Sequence, residues 1–362
     1  MTQVEQCFAT DYADARRRFR ERATAAGFSL QEYRLEGHVG PGGEPLATDV
    51  ARRGPEDAAF TLLVSSGTHG VEGFCGSGCQ NALLESEVLQ SLSADMSVVL
   101  VHALNPFGFA HLRRVNEDNV DLNRNFIAHD SHPANPGYDE LHPLLVPADW
   151  GGPAKQAADQ AIFQLVATRG QRALQEAVSG GQYTHPDGLF YGGRGPVWSN
   201  TTWRRIVREH AGGSREVIAI DLHSGLGPSG VGEAICTGIG EELQRARSVF
   251  GEDVTSSTEG SSSSAKVGGS MGEGAEEELQ NSRLTLVTLE FGTQPMLAVF
   301  EALRADNWLH LHGAVESPLG RQIKKAVRDA FYVDTPEWRR AVVARCLSLI
   351  GRAGERASAV LG

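Results

Sequence analysis

A histidine and a glutamate three residues apart, His69 and Glu72, form the first motif in the chain that could do chemistry. They lie in the glycine-rich segment 67–73, directly after an apolar run and before a helical pattern. Zinc accepts imidazole nitrogen and carboxylate oxygen at about 2.0–2.2 Å, and a catalytic zinc site needs only three protein ligands plus water. The motif could therefore supply two metal ligands, although on its own it also fits a surface pair or a loop histidine.

A third ligand of suitable chemistry is His223, which occurs in the motif Asp221-Leu-His223-Ser. Two histidines and one carboxylate are the ligand set of many hydrolytic zinc sites. Asp221 lies two residues earlier on the same side of a predicted strand, so it could orient the histidine through a hydrogen bond. A buried aspartate that caps local backbone is the alternative interpretation.

A glutamate, Glu290, ends another apolar run. A carboxylate at such a position is costly to bury unless it is paired or used. Burial would raise its pKa toward the range that a general base needs near neutral pH. The alternative is a solvated strand end.

Two arginines and an Asn–Arg pair lie between these motifs. Arg113 and Arg114 precede the segment Asp121-Leu-Asn123-Arg124. A guanidinium offers a planar fork to a carboxylate, and an asparagine adds a neutral donor. The segment could thus anchor an acidic ligand, and a charged loop that makes local turns is the alternative.

Four apolar runs predict strands that are buried on both faces of an α/β sheet. Each run ends in polar residues, and open α/β sheets bind ligands beyond the carboxyl ends of their strands. The motifs should therefore meet in one crevice. The predicted strands are 59–65, 98–104, 217–222 and 284–289. The predicted helices are 10–27, with Thr10 or Asp11 as N-cap, 73–86, 154–179 and 295–305.

The order of the four motifs resembles that of the zinc carboxypeptidase superfamily, including its aspartoacylase and succinylglutamate desuccinylase branch. The resemblance covers roughly residues 60–300, and the conjunction of motifs is far more specific than any one of them. It implies a three-layer α/β/α domain around a mixed, mostly eight-stranded sheet. The matching motifs are His69-x-x-Glu72, Asp121-Leu-Asn123-Arg124-Asn-Phe, Asp221-Leu-His223-Ser and Leu289-Glu290.

The resemblance also implies a role for each site residue. One zinc ion per chain would be bound by His69, Glu72 and His223. Glu290 matches the family's catalytic glutamate, and Asn123 with Arg124 matches the pair that binds the substrate carboxylate. In the family, an arginine upstream of that pair polarises the scissile carbonyl. Arg114 is the expected residue for that role and Arg113 is the alternative, also as a substrate-binding residue.

Two departures from the family concern the substrate. In digestive-type carboxypeptidases a tyrosine lies on the loop before the catalytic glutamate, but this chain has no tyrosine between Tyr191 and Tyr332. A Gly/Ser-rich segment, 259–275, takes its place and is expected to be a mobile loop. Segment 127–200 is longer than the usual connection and is expected to carry long loops and one helix. Long loops are often lids or binding loops, so this insertion could close over the site.

The composition of the chain limits the expected domain organisation, binding partners and cellular location. A chain of 362 residues with 41% hydrophobic residues can bury a sizeable core, and we expect a single domain, 1–362, with a C-terminal helix at 335–360. The formal charge of −12 argues against nucleic acid or a membrane surface as partners. Five irregularly spaced cysteines favour reduced thiols, and no signal-peptide or membrane-span pattern occurs, so a cytoplasmic protein is expected.

The expected function is zinc-dependent, carboxypeptidase-like cleavage of an amide or peptide bond next to a free carboxylate, in a small peptide. The alternative hydrolase is an N-acyl amino acid deacylase, in which the carboxylate belongs to the released amino acid. A non-catalytic binding module of the same fold is a third hypothesis, which the intact ligand set and Glu290 disfavour. The oligomeric state cannot be predicted from the sequence.

Overall fold

Four parallel strands form the middle of an eight-stranded mixed sheet in the computed structural model, which describes residues 4–361. The strand order is β1-β2-β4-β3-β5-β8-β6-β7, and β4, β3, β5 and β8 run parallel to one another. The antiparallel strands β1 and β2 extend one side, while β6, antiparallel to β8, and β7 extend the other. The strands are β1 Ser29–Val39, β2 Pro45–Arg53, β3 Phe60–Ser66, β4 Ser97–His102, β5 Glu216–Gly225, β6 Gly232–Cys236, β7 Thr255–Ser256 and β8 Arg283–Gly292.

Helices cover both faces of this sheet. Alternate residues of β3 point to opposite faces, because side chains alternate along a strand. Leu62 and Val64 belong to a core cluster that includes residues of the helices at 12–25, 73–84 and 336–361, whereas Leu63 belongs to a second cluster with residues of the helices at 198–211 and 271–278. The three-layer prediction is therefore confirmed. The helices are α1 Tyr12–Ala25, α2 Gly73–Leu84, α3 Glu87–Ser91, α4 Pro106–Ala110, α5 Pro136–Leu145, α6 Pro153–Ser179, α7 Trp198–Ala211, α8 Glu241–Phe250, α9 Met271–Glu278, α10 Met296–His312, α11 Pro318–Phe331 and α12 Pro336–Leu361. Short 3-10 helices span Val4–Cys7, Gly70–Glu72 and Leu122–Arg124.

The four predicted strands are the four central parallel strands. β3, β4 and β5 are buried on both faces along their whole length, and β8 is buried over its last four residues, which is why these strands read as continuous apolar runs. β1 and β2 were not predicted. The edge strand β1 is largely exposed and mostly polar, so it lacks an apolar run. Asp11 is the N-cap of α1, and its carboxylate accepts a hydrogen bond of 2.8 Å from the Asp14 N–H.

Three predictions about the bounds or the number of helices need correction. The helix predicted at 295–305 continues to His312. Segment 127–200 contains two complete helices rather than one: α5 begins at Pro136, where a proline suits the first turn, although Pro143 inside it hid the helical pattern. In the segment predicted as a Gly/Ser loop, residues 271–275 are the start of α9.

The predicted domain includes residues 1–3 and 362, which lie outside the described part of the chain. The five cysteines are all buried free thiols. Across residues 4–361 no helix combines the length and the apolar character that crossing a bilayer requires.

Candidate active site

A tight turn after β3 brings His69 and Glu72 to the same side of the chain. Residues 70–72 form a 3-10 helix, in which side chains three apart lie above one another. Gly67 has φ +66°, a conformation that favours glycine. A Cβ at Gly70 would lie 2.1 Å from the backbone carbon of Gly108, so the turn can pack this closely only with glycine there.

His223 completes this group from the end of the neighbouring strand β5. Nδ1 of His69 lies 2.9 Å from Oε1 of Glu72, and Nδ1 of His223 lies 2.9 Å from Oε2. One ligand atom from each residue lies within 4.8 Å of the others, and all three residues are buried. The two imidazole planes are inclined by 71°, so their in-plane lone pairs can converge on one point. The donor set and its geometry fit a zinc ion.

A carboxylate partner faces the other ring nitrogen of each histidine. Nε2 of His69 lies 3.1 Å from Oδ1 of Asp121, and Nε2 of His223 contacts Oδ2 of Asp221. Such partners fix the orientation of metal-binding histidines. Sequence reasoning offered this role for Asp221 but missed it for Asp121, which also accepts a hydrogen bond of 2.9 Å from Arg114 Nε.

The charges at this centre shift one another's pKa. Burial acts to raise the pKa of Glu72, but His69 and His223 outweigh it and hold that pKa far below its usual range. Burial likewise acts to lower the pKa of His223, but Asp221 and Glu72 outweigh it and raise that pKa well above the usual value. These groups therefore favour a negative charge on Glu72 and a positive charge at His223.

Glu290 lies on β8 directly opposite His223 in the strand register. Its Oε1 accepts a hydrogen bond of 2.9 Å from the Leu226 N–H. Burial, and next the charge of Glu72, raise the pKa of Glu290 to about 7. This carboxylate is therefore suited to exchange a proton near neutral pH.

The adjacent arginines Arg113 and Arg114 point to different places. Arg114 NH1 lies 3.1 Å from Glu72 Oε1, and its side chain lines the cavity beside the metal-binding group. Arg113 is buried outside that cavity, where it donates to Asp306 at 3.1 Å and to Asn119 at 3.0 Å. The structure thus brings Arg114 to the centre and places Arg113 in a buried ion pair with Asp306, outside this cavity.

Asn123 and Arg124 also border the cavity. The Asn123 side-chain oxygen accepts from the Met271 N–H at 2.9 Å, which leaves its amide nitrogen available to a ligand. Arg124 donates from Nε at 3.1 Å and from NH2 to the Ser179 carbonyl, and from NH1 to the Asn123 carbonyl at 2.7 Å. Because a guanidinium has five N–H donors, Arg124 keeps two for a substrate.

Phe190 is a cavity residue that sequence reasoning missed. Its ring centroid lies 5.2 Å from the guanidinium carbon of Arg114 and 5.7 Å from that of Arg124. Its backbone has φ +51°, which is rare for an aromatic residue. The Gln182 N–H donates to its carbonyl at 3.1 Å and helps to hold that conformation. No local pattern in the sequence marks this residue, because its role arises only when segment 127–200 folds against the centre.

The cavity that contains these groups has a volume of about 170 Å³. One water molecule needs roughly 10–15 Å³ on this scale, so the cavity has room for a small organic ligand. Residues of the Gly/Ser loop and of α6 line parts of it. Both segments that were expected to border the site therefore do so.

A second group that could be considered for a metal is His142, His185 and Asp187, whose ligand atoms also lie within 4.8 Å of one another. The two histidine rings are stacked with centroids 3.8 Å apart and planes inclined by only 17°. Because a ring nitrogen's lone pair lies in the ring plane, nearly parallel rings cannot point at one ion. This geometry fits a metal less well than that of the first group.

Comparison with known proteins places the chain in a family. Residues 8–345 match the model of a family described as "Protein of unknown function (DUF2817)". The chain belongs to this family. A search of curated proteins finds no match. The function of this DUF2817 member must therefore be inferred from the geometry of its site.

Solved structures show the fold of this DUF2817 member. The thrombin activatable fibrinolysis inhibitor (TAFI) has a TM-score of 0.51 at 11% identity, over 99% of this chain and 76% of that one. Carboxypeptidase A from Helicoverpa armigera has a TM-score of 0.44 at 13% identity, over 89% and 74%. An aspartoacylase family protein from Mesorhizobium loti has a TM-score of 0.33 at 16% identity, over 80% and 68%. The TM-score of 0.51 shows that TAFI and this chain share a fold.

Proposed function

We propose that the chain is a zinc-dependent hydrolase that cleaves an amide or peptide bond beside a free carboxylate. The observation that carries this proposal is the convergence, at one cavity, of the buried group His69, Glu72 and His223 with a separate buried carboxylate, Glu290. Zinc held by the three residues would act as a Lewis acid toward a carbonyl and lower the pKa of a water molecule.

Glu290 is the general base in this proposal. The Leu226 N–H holds its Oε1, so Oε2 is the oxygen that takes the proton of the attacking water and returns it to the leaving nitrogen. A pKa near 7 suits both transfers, because the group must accept a proton readily and also release it. A non-catalytic binding module would have no use for a buried carboxylate in this state.

Arg114 and Arg124 each interact with a different negatively charged group of the substrate. Arg114 lies beside the metal-binding group and stabilises the charge that develops on the carbonyl oxygen. Arg124 and the Asn123 amide hold the free carboxylate, so that binding energy orients the scissile bond. Both arginines are fixed by hydrogen bonds and by the Phe190 ring, and little reorganisation is needed when substrate binds.

The alternative, an N-acyl amino acid deacylase, uses the same residues on a different substrate. A parallel screen of dipeptides and N-acyl amino acids with zinc-loaded protein distinguishes the two. We expect release of a free amino acid by the native protein and almost none by Glu290→Gln. Hydrolysis of dipeptides supports the peptidase, and hydrolysis of acyl amino acids alone supports the deacylase. If neither class is hydrolysed, the proposal is wrong.

A further inference from the structure

The cavity beside the candidate metal centre has an apolar wall that the proposed chemistry does not use. α6 contributes Leu174 and Val178, and α10 contributes Val299, Phe300 and Leu303. Each of these side chains is at most 9% exposed, although each borders the cavity. A substrate group seated between the two helices therefore exchanges water for hydrocarbon, which favours an apolar group by about 25 cal/mol for each Å² buried.

The charged side chains that border the cavity come from outside α6 and α10. In the part of the chain that the structure describes, the cavity lining has no Lys, Asp, Glu, Arg or His beyond the catalytic centre itself. Those at the centre are His69, Glu72, Arg114, Arg124, His223 and Glu290. A charged substrate group directed at the α6–α10 wall would lose its hydration without gaining a partner, and burying an unpaired charge is strongly unfavourable.

Of the two arginines at the centre, Arg124 is the one that can pair with a substrate carboxylate. Arg114 is already paired with Glu72 at 3.1 Å and with Asp121 at 2.9 Å. Arg124 donates its hydrogen bonds to the backbone carbonyls of Ser179 and Asn123 rather than to a carboxylate. One substrate carboxylate can therefore be neutralised at Arg124, and a second one would remain unpaired.

We propose that the substrate carries a single carboxylate and a hydrophobic side chain, which occupies the space between α6 and α10. Substrates with a second acidic group, or with a basic group on that side, are strongly disfavoured. This inference rests on the proposed function and names its substrate class.

Matched substrates test the inference directly. The probes are the dipeptides Ala-Leu, Ala-Phe, Ala-Asp and Ala-Lys and the corresponding N-acetyl amino acids, assayed with the zinc-loaded protein. We expect kcat/KM for the Leu and Phe compounds to exceed that for the Asp and Lys compounds by about 100-fold or more. Calorimetric binding of the same probes to Glu290→Gln should rank them in the same order without turnover.

A variant of the wall provides a second readout. Leu303→Lys places a cation between α6 and α10 and should raise the Asp-to-Leu ratio of kcat/KM about 10-fold or more. Leu297→Lys is the matched control, because Leu297 lies on the same helix, is 39% exposed and does not line the cavity. It should leave the ratio unchanged. The native ratio decides the question even if Leu303→Lys does not fold.

The outcomes separate the two proposals. Equal use of acidic and apolar compounds by the native protein overturns the inference while leaving the hydrolase proposal intact. A preference for Asp or Lys compounds does the same. If no compound of the series is bound or cleaved, the proposed function fails and the inference fails with it.

Discussion

The proposed catalytic centre and the apolar wall of the cavity are built in different ways. The centre takes its side chains from the ends of neighbouring parallel strands, β3, β5 and β8, and fixes them through polar contacts of about 3 Å. The wall takes its side chains from α6 and α10, which lie far apart in the chain and are joined by the ion pairs Lys155–Glu301 and Asp159–Arg304. Changes at the centre should therefore alter turnover of every substrate, whereas changes in the wall should alter the choice among substrates.

The largest effect is expected at Glu290. Glu290→Gln keeps the size of the side chain but cannot accept a proton, so kcat should fall by about 10²–10⁴-fold for all substrates. The metal content should not change, since Glu290 is outside the metal-binding group. Steady-state kinetics with elemental analysis on the same sample check both statements. Near-normal turnover would mean that another residue is the base.

Arg114 and Arg113 provide a matched pair of adjacent residues with different roles. Arg114→Ala should lower kcat by about 10²–10³-fold, as loss of an oxyanion donor does. Arg113→Ala should leave kcat within a few-fold. It should instead lower the free energy of unfolding by about 1–3 kcal/mol, because it removes a buried partner of Asp306. Denaturant unfolding and kinetics of both variants test the contrast, and a reversed pattern would exchange the two roles.

Arg124 tests the carboxylate anchor. A charged hydrogen bond contributes about 1.5–3 kcal/mol, so Arg124→Ala should lower kcat/KM roughly 10- to 150-fold. Amidation of the substrate carboxylate should cost a similar factor in the native protein. The two losses should not add, because both remove the same contact. Full turnover of an amidated substrate would contradict the anchor and indicate an endo-acting amidase.

The smallest effect is expected at Phe190, which contacts both arginines. Each cation–π contact contributes about 0.5–1 kcal/mol, so Phe190→Leu should raise KM by about 2- to 10-fold with a smaller change in kcat. Phe163→Leu is the control, since Phe163 lies on α6 and is 73% exposed. Equal effects of the two substitutions would show that Phe190 has no special role.

The residues at the strand ends were the part of the site that the sequence could predict. His69, Glu72, His223 and Glu290 were identifiable because each follows or ends a buried strand, and parallel strand ends meet at one edge of the sheet. Asp121 was missed as a histidine partner because it lies in a loop rather than at the end of a predicted strand.

The apolar wall could not be predicted in the same way. In the sequence, Val178 and Val299 each look like ordinary core residues of a helix. They line a shared cavity only because the fold places α6 beside α10. The edge strand β1 was not predicted for another reason, because an exposed polar strand has no continuous apolar run. The sequence thus predicted the chemistry better than the specificity.

Zinc content measured by elemental analysis is the sharpest test of the proposed metal centre. We expect one zinc per chain in the native protein and in Glu290→Gln, and none in the double variant His69→Ala/His223→Ala. The matched control, His142→Ala/His185→Ala, should retain its zinc. Absence of zinc after careful metal loading, or unchanged binding in His69→Ala/His223→Ala, would show that these residues do not form a zinc site.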